Sequence, residues 1–235
     1  MELSNRLKFI VHHIKDCSNI ADIGTDHGYI PIYTVKTGIC KSAIATDINR
    51  DPVKKARINV DCEGLSDKIQ VRLGGGFKPI VRNEVEASVI AGMGGNLIRD
   101  ILEEDMDITK SFKFLILQPA QNPEVLREYL YKNNYEIICE DLCLDEGIYY
   151  ELFKVRKSKN IENEDVEAIY YEIPKKLIEE KHTLMSGYLQ SKYDKYTKIL
   201  GFIKDDTESA KFRKEELLNK IKLIKIFMEE IQNEG

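Results

Sequence analysis

The most informative segment of the chain reads Ala21-Asp22-Ile23-Gly24-Thr25-Asp26-His27-Gly28-Tyr29-Ile30-Pro31. It lies where a short apolar run gives way to a helical pattern, as in the turn between the first strand and the first crossover helix of a doubly wound α/β sheet. Ligands of such sheets bind outside the carboxyl ends of the strands, so this turn is a candidate binding site. Gly24 lets the backbone approach a ligand closely, and Gly28 eases packing of the next helix.

On both sides of this turn, short runs rich in Ile and Val alternate with helical patterns, which predicts βαβ units and a parallel sheet. The runs are nearly continuous in apolar residues, as is typical when helices cover both faces of a sheet. Five strands are predicted, at Asn19–Ile23, Ala43–Thr46, Ile69–Leu73, Ala87–Ala91 and Phe112–Leu117. Helices are predicted from Tyr29 and at about residues 2–15, 51–62, 95–104 and 123–132.

Two further strand-like runs, Tyr135–Leu144 and Ile148–Arg156, are joined by only three residues. A gap this short allows a hairpin but no crossover helix, so these two strands are predicted to be antiparallel. A mostly parallel seven-stranded sheet that ends in an antiparallel hairpin resembles the class I methyltransferases that use S-adenosylmethionine (AdoMet). The predicted fold class is therefore α/β and Rossmann-like.

Carboxylates in the first turn indicate which cofactor suits the sheet. Gly24 and Gly28 have G-x-x-x-G spacing, not the G-x-G-x-x-G that holds a pyrophosphate. Asp22 and Asp26 would repel a pyrophosphate but attract a ligand that carries a sulfonium and an ammonium, as AdoMet does. Asp47, after the second strand, is placed to accept hydrogen bonds from ribose hydroxyls. Alternatively, Asp26 only caps the next helix.

The tips of the later strands carry small or amide residues. The glycine run around Gly75 lets a flat adenine ring lie against the backbone. The small residues around Gly92 clear space for a substrate beside the cofactor, while Gln118 and Asn122 offer amide groups to the edge of a base. The alternatives are that these tips are ordinary loops and that His27 only orients the first turn.

Residues 158–173 are polar and irregular, and predict a linker between a domain at 1–157 and a second domain at 174–235. In the second domain, apolar residues recur at steps of three and four over 178–203 and again over 217–231. This predicts an antiparallel coiled-coil hairpin around the turn Lys204–Thr207, with Asp205 or Asp206 as N-cap of its second helix. The alternative is a packing element or dimer contact.

Composition excludes several classes of protein. A chain of 235 residues with 43% hydrophobic and 32% charged residues is not of the disordered type. Its apolar runs are far shorter than the roughly 18 residues that span a bilayer, and the first residues lack a signal-peptide pattern, so we expect a cytoplasmic protein without a membrane partner. The five cysteines are scattered without a CxxC pair, and the histidines lack ligand-like spacing, so we expect neither disulfides nor a metal site.

The formal net charge is -5, so no strongly basic composition indicates nucleic acid. A nucleic-acid partner would need a local basic patch. Three lysines at three-residue spacing on the first hairpin helix are candidate phosphate contacts: Lys192, Lys195 and Lys198. Alternatively, they only form a solvated face of this helix.

Four segments together carry a resemblance to a known family: Asp22–Pro31, Val71–Gly74, Ile90–Gly95 and Leu117–Pro119. In this order, within the range from Leu3 to about Phe153, they resemble the bacterial tRNA adenine-N1 methyltransferases that modify position 22 of tRNA. That family has an AdoMet-dependent domain followed by a C-terminal coiled-coil hairpin, where the hairpin is predicted here. The resemblance implies a tRNA methyltransferase with AdoMet as cofactor, tRNA as partner, no metal and no obligate protein partner.

The resemblance, read with the position of each residue, implies a set of site residues. Cofactor binding is assigned to Asp22, Gly24, Thr25, Asp26, Asp47, Ile48, Gly75, Ala91, Gly92 and Met93. Substrate binding is assigned to Arg6, His27, Gln118, Pro119, Asn122, Lys192, Lys195 and Lys198. Asp26 and Tyr29 are the candidate catalytic residues, with Tyr29 facing the target base. One departure from the family is Gly75, where such proteins often carry Asp or Asn, so a side-chain contact to the cofactor's adenine is missing.

The implied chemistry needs no strong base. Adenine N1 has a free lone pair at neutral pH, so positioning does most of the work. A carboxylate such as Asp26 would stabilise the positive charge that develops on the ring, and Tyr29 would stack on the base or bond its edge. The alternatives are a methyltransferase that acts on another RNA, a protein or a small molecule, and an RNA-binding relative that has lost catalysis. A nicotinamide oxidoreductase is disfavoured by the glycine spacing.

Overall fold

The computed structural model describes residues 2–158 and 166–233, with side chains up to residue 231. The chain divides into two compact units, residues 1–165 and 166–235. Residues 166–173, predicted as irregular linker, thus belong to the second unit, and four of them form a short helix at Ile169–Glu172. The remaining residues of the predicted linker, apart from Ser158, lie outside the described part of the chain.

The first unit is built on a seven-stranded sheet. Its strands are β1 Asn19–Ile23, β2 Ser42–Asp47, β3 Ile69–Leu73, β4 Ala87–Gly94, β5 Phe114–Gln121, β6 Tyr135–Asp145 and β7 Ile148–Lys157. Their order across the sheet is β3-β2-β1-β4-β5-β7-β6. The first five strands pair in parallel, and β7 pairs antiparallel with both β5 and β6. The prediction of a parallel sheet that ends in an antiparallel hairpin is confirmed.

Six helices belong to this unit: α1 Asn5–His12, α2 Tyr29–Lys36, α3 Arg50–Cys62, α4 Gly95–Glu104, α5 Met106–Thr109 and α6 Pro123–Lys132. Two buried clusters form its core, one that joins apolar residues of α1, α2 and α3 to the sheet and one that joins those of α4 and α6 to it. The nearly continuous apolar strands are therefore explained by two layers of helix.

The first helix is shorter than the predicted 2–15. It begins after Ser4, whose hydroxyl accepts the Leu7 N–H at 3.3 Å, and ends at His12 with His13 as C-cap. His13 forms an ion pair with Asp141 of β6 at 2.8 Å, and its carbonyl accepts a hydrogen bond from the Lys154 ammonium at 3.1 Å. These long-range contacts fix the end of α1 against the β6–β7 hairpin.

The second unit contains four helices: α7 Ile169–Glu172, α8 Lys175–Glu179, α9 Met185–Phe202 and α10 Glu208–Asn233. Lys225 of α10 lies over the ring of Tyr193, and Lys220 over that of Tyr196, so the later part of α10 faces the earlier part of α9. The two helices therefore run antiparallel, as predicted.

Two details of the predicted hairpin are wrong. The apolar pattern over 178–203 predicts one helix, but the chain leaves the helical conformation at Lys181, whose φ is +52°, and separates α8 from α9. The N-cap of α10 is Thr207, because its hydroxyl accepts the Ala210 N–H at 3.2 Å, and not Asp205 or Asp206.

A buried carboxylate joins α7 to the hairpin. Glu172 is 8% exposed, accepts hydrogen bonds from the Tyr196 hydroxyl and the Lys220 ammonium, and lies 4.0 Å from the ammonium of Lys192. The Tyr188 hydroxyl bonds the backbone carbonyl of the same glutamate at 3.2 Å. The hairpin thus has a polar anchor beside its apolar seam.

Candidate functional site

A cleft of about 210 Å³ opens at the carboxyl ends of β1 to β4, where ligands of doubly wound sheets bind. The cleft is lined by residues from the tips of these four strands and from the start of α4: Gly24, Asp47, Ile48, Gly74, Gly75, Gly76, Met93, Leu97 and Ile101, together with Lys78 and Glu104. Five of the predicted cofactor-binding residues are therefore brought together in one pocket, although they are up to 69 positions apart in the chain.

The turn after β1 is shaped by its backbone. The Gly24 and Thr25 N–H groups both donate to the Thr46 carbonyl, at 2.8 and 2.7 Å, which ties this turn to the end of β2. Gly24 has a φ of +74°, and a Cβ added there would lie 2.1 Å from the Met93 methyl carbon. Only a glycine allows this close approach between the first and fourth strand tips.

Asp22 is the buried acid of the site, with 5% of its surface exposed. Burial raises the pKa of its carboxyl to about 6, the nearby Thr25 hydroxyl offsets part of this increase, and the charge of Asp47 adds to it. A positive charge next to this buried carboxylate would stabilise its ionised form. The site therefore favours a positively charged ligand group beside the first strand tip.

Asp47 ends β2 and is partly exposed. Its Oδ1 accepts the Asn49 N–H at 2.6 Å, and the other carboxylate oxygen has no hydrogen-bond partner in residues 2–158 or 166–233. The next residue, Ile48, is 70% exposed and faces Gly75, where an added Cβ would lie 3.1 Å from the Ile48 Cδ1. Ile48 therefore packs closely on the Gly75 backbone, and the two residues together form an apolar wall of the cleft.

The tip of β4 departs from regular pairing. Its register with β5 shifts between Ala91 and Met93, and Gly92 in between has a φ of +77°. The bulge turns the backbone of these three residues toward the end of the sheet. On one side of the bulge, Met93 lines the cleft. On the other side, Gly92 lies next to the Arg6 guanidinium.

Three residues of the first turn form a partly exposed group: Asp26, His27 and Tyr29. Asp26 is exposed, and its Oδ1 lies 3.3 Å from Nε2 of His27. The His27 ring stacks on Tyr29, with centroids 5.2 Å apart and an angle of 11° between the planes. The N-cap of α2 is Gly28, without a side-chain hydrogen bond, so the alternative that Asp26 caps this helix is wrong. The backbone carbonyl of His27 accepts a hydrogen bond from the Asn59 side chain at 2.9 Å, which ties the turn to α3.

Arg6 and Gln118 meet at the ends of β4 and β5. The Arg6 Nη1 donates to the Gln118 Oε1 at 2.7 Å and lies 3.4 Å from where a Cβ of Gly92 would be. The Gln118 amide group donates to the Pro119 carbonyl at 2.8 Å, and this glutamine is fully buried. The prediction that Gln118 reads a base edge therefore needs correction: its side chain is used inside the protein, and it positions Arg6.

The other predicted substrate contacts differ in accessibility. Pro119 is buried in β5, whereas Asn122 is exposed, in a left-handed conformation at the start of α6. In the second unit, Lys195 and Lys198 are exposed, but Lys192 is 8% exposed and faces Glu172. The predicted row of three lysines is corrected to two, because three-residue steps turn about 60° backward around a helix each time.

Several residues that frame the site were missed by sequence reasoning. The Arg6 guanidinium lies 5.5 Å from the centre of the Tyr150 ring, and the Arg6 N–H donates to Asp145 at 3.2 Å. Both partners come from the β6–β7 hairpin, more than 130 positions away, and no local pattern indicates them.

In the second unit, Phe202 and Phe212 at the tip of the helical hairpin are 71% and 72% exposed. A search of the sequence for aromatic residues near the predicted turn would have found them.

Over the described ranges, no group of three or more His, Cys, Asp or Glu side chains is arranged to hold a metal ion. In the same ranges, no helix combines the length and the apolar character needed to cross a bilayer.

The sequence profile of TrmK, described as tRNA (adenine(22)-N(1))-methyltransferase, matches residues 20–226. The chain belongs to this family. The tRNA (adenine(22)-N(1))-methyltransferase of Bacillus subtilis is 40% identical over 152 residues, which cover 65% of this chain and 64% of that protein. The crystal structure of B. subtilis TrmK superposes with a TM-score of 0.85 and 32% identity, and covers 97% of this chain and 99% of that one. The predicted family and fold class are confirmed.

Two structures of similar proteins contain a ligand. The Streptococcus pneumoniae protein Sp1610, in complex with S-adenosyl-L-methionine, has a TM-score of 0.84 and 30% identity over 97% of this chain and 100% of that chain. M. capricolum TrmK, in complex with the cofactor product S-adenosyl-homocysteine, has a TM-score of 0.83 and 30% identity over 98% of this chain and 100% of that chain.

Proposed function

We propose that this chain is a TrmK enzyme that transfers the methyl group of AdoMet to N1 of adenine 22 in tRNA. The observation that carries the proposal is the cleft at the tips of β1 to β4, in a chain whose family match extends over residues 20–226. The two alternatives are an enzyme that uses the same cofactor on another substrate and a relative that has lost catalysis.

The residues of the cleft fit AdoMet. Gly24 lines the cleft with backbone alone, and Asp47 has a carboxylate oxygen directed to no protein partner in the described ranges. We assign the amino-acid part of the cofactor to the buried Asp22 with Gly24, Thr25 and Asp26, because its ammonium and sulfonium are cations. Asp47 would hold the ribose hydroxyls, and the adenine would lie in the cleft beside the exposed Ile48 side chain and the Gly75 backbone. The tip Ala91-Gly92-Met93 would close the side that faces the substrate.

When bound, AdoMet supplies a methyl group on a positively charged sulfur. Adenine N1 carries its lone pair at neutral pH, so no residue of this chain has to remove a proton from it. The chain's own contribution is to orient the base and to exclude other geometries. The stacked pair of His27 and Tyr29 offers an aromatic surface for the base, and the exposed carboxylate of Asp26 stabilises the positive charge that the ring acquires.

The tRNA would be held by cations of both units. Arg6 is fixed next to Gly92, where a phosphate or the target nucleotide would pass. Asn122 is exposed and offers an amide, and Lys195 and Lys198 on α9 would meet phosphates. A cytoplasmic location and the absence of an obligate protein partner remain predictions.

The test is to incubate the purified protein with methyl-labelled AdoMet and unmodified tRNA transcripts, then to digest the RNA and identify the labelled nucleoside. We expect label in 1-methyladenosine, lost when adenine 22 is replaced by guanine. The Asp26→Ala variant should lower kcat and retain tRNA binding, because Asp26 acts on charge formed in the reaction. AdoMet binding without label in any transcript would favour another substrate, and absence of AdoMet binding would favour a non-catalytic relative.

A further inference from the structure

A groove of about 310 Å³ lies between α1 and α2, outside the cofactor cleft. Its lining includes three basic side chains, Lys8, His12 and Lys15, and two residues of the α2 side, Tyr33 and Ile39. Lys8, His12 and Lys15 are exposed, while the Tyr33 side chain is half-buried. None of these residues lines the cofactor cleft, so the groove is a separate feature of the surface.

The lining of this groove contains two lysines and no acidic side chain, although the whole chain carries a net charge of -5. Two carboxylates lie nearby: Glu2, 91% exposed and 3.6 Å from the Lys8 ammonium, and Asp16, next to Lys15 in sequence. A pair as exposed as Lys8 and Glu2 contributes little and is readily exchanged for a stronger anion. Lys15 has no ion-pair partner in the described part of the chain.

The helix α1 links this groove to the substrate side of the cleft. Arg6, in the first turn of α1, is fixed at the tips of β4 and β5 through Gln118. At the other end of α1, the ion pair of His13 with Asp141 holds the helix against the hairpin. On the α2 side, Tyr33 lies one turn after Tyr29, which is proposed to face the target base. Both walls therefore begin near the proposed site of methyl transfer, and the α1 wall is fixed at both of its ends.

We propose that this α1–α2 groove binds consecutive phosphates of the tRNA strand that leads away from the target adenine. The inference rests on the proposed function. Lys8 and His12 lie one helical turn apart on the same face of α1, about 6 Å along its axis. The row therefore suits neighbouring phosphates of one strand. Tyr33 and Ile39 supply an apolar wall for sugars or an unstacked base.

A second cationic cleft serves as the matched control. It lies where the strands of the sheet begin and is lined by Arg82, Lys110 and Lys157 among others. The Lys157 ammonium is already bonded to the Asn133 carbonyl and lies 4.3 Å from the centre of the Tyr135 ring. Arg82 and Lys110 are exposed, so removal of these two charges changes the net charge as much as removal of Lys8 and Lys15 does.

The experiment measures binding of an unmodified tRNA transcript to the full chain at salt concentrations from 50 to 200 mM. The Lys8→Ala/Lys15→Ala variant should bind about tenfold more weakly at 150 mM salt, and the slope of log K against log salt should fall by about 1.4 to 1.8. The Arg82→Ala/Lys110→Ala variant should stay within about twofold of wild type. AdoMet affinity should be unchanged in both variants, which shows that the fold is intact.

Equal losses in the two variants would overturn the proposal, because they would show an effect of net charge and not of the groove. An unchanged affinity and slope in the Lys8→Ala/Lys15→Ala variant would overturn it as well. Methylation by the wild type is measured in parallel. A wild type that binds tRNA with the predicted difference between variants but forms no 1-methyladenosine would refute the proposed reaction and leave the groove supported.

Discussion

Replacement of Gln118 by Leu tests whether this buried residue acts on tRNA only through Arg6. The Gln118 Oε1 accepts the Arg6 guanidinium at 2.7 Å, and the rest of its amide is bonded to the Pro119 carbonyl. A hydrogen bond to a charged group contributes about 1.5–3 kcal/mol, and each 1.4 kcal/mol is a factor of about ten. We therefore expect Gln118→Leu to lower kcat/KM for tRNA by roughly 10- to 100-fold, with AdoMet affinity unchanged within about twofold.

The assay is a double-mutant cycle with Arg6→Ala, Gln118→Leu and the combined variant, in which kcat/KM for tRNA, the AdoMet Kd and the thermal midpoint are measured for each protein. If Gln118 acts through Arg6, the combined variant should lose no more than Arg6→Ala alone. Gln118→Glu keeps an acceptor for Arg6 and should retain more activity than Gln118→Leu. Fully additive losses would refute the positioning role of Gln118, and full activity of Arg6→Ala would refute a role of this pair in the site.

Three further predictions concern the cofactor site and the second unit. Because the pKa of Asp22 is raised to about 6, AdoMet affinity should fall as pH decreases through 6, by up to about tenfold per pH unit. The Asp22→Asn variant should bind AdoMet weakly and without this pH dependence, and calorimetry from pH 5 to 8 measures both effects. Gly24→Ala should weaken AdoMet binding at least about tenfold because its Cβ would displace Met93, whereas Gly38→Ala, with the same backbone strain at φ +77° but open space around it, should not; calorimetry on the pair decides. Glu172→Ala should lower the free energy of unfolding by about 1.5–3 kcal/mol, because it removes the buried carboxylate that accepts hydrogen bonds from Tyr196 and Lys220, and urea titration followed by circular dichroism measures this loss.

The sheet was predictable from sequence because each strand is a local signal. Asn19–Ile23 and Ile69–Leu73 are predicted with the observed ends, since both are short strand-like segments bounded by turn residues. The hairpin of β6 and β7 follows from the length of the gap alone. The cofactor-side turn was predictable for the same reason, as glycines at positive φ and strand-end carboxylates lie within one short segment.

The substrate side was not predictable in the same way, because its contacts join distant parts of the chain. Arg6 and Gln118 are 112 positions apart, and nothing near Gln118 indicates that its amide is consumed inside the protein. Lys192 was misassigned because three-residue spacing rotates around a helix, so that only tertiary packing tells which lysine faces Glu172. The break between α8 and α9 occurs at a lysine with positive φ, a conformation for which lysine carries no signal.

Methylation of N1 of adenine 22 is tested most directly by mapping the modified position in a tRNA transcript after incubation with the purified protein and AdoMet. We expect 1-methyladenosine at position 22 alone when the wild type is used. The product should be reduced with Asp26→Ala and absent from a transcript with guanine at that position. Methylation at another adenine, or at N6 of the same base, would contradict the assignment of the site, even if AdoMet binds as proposed.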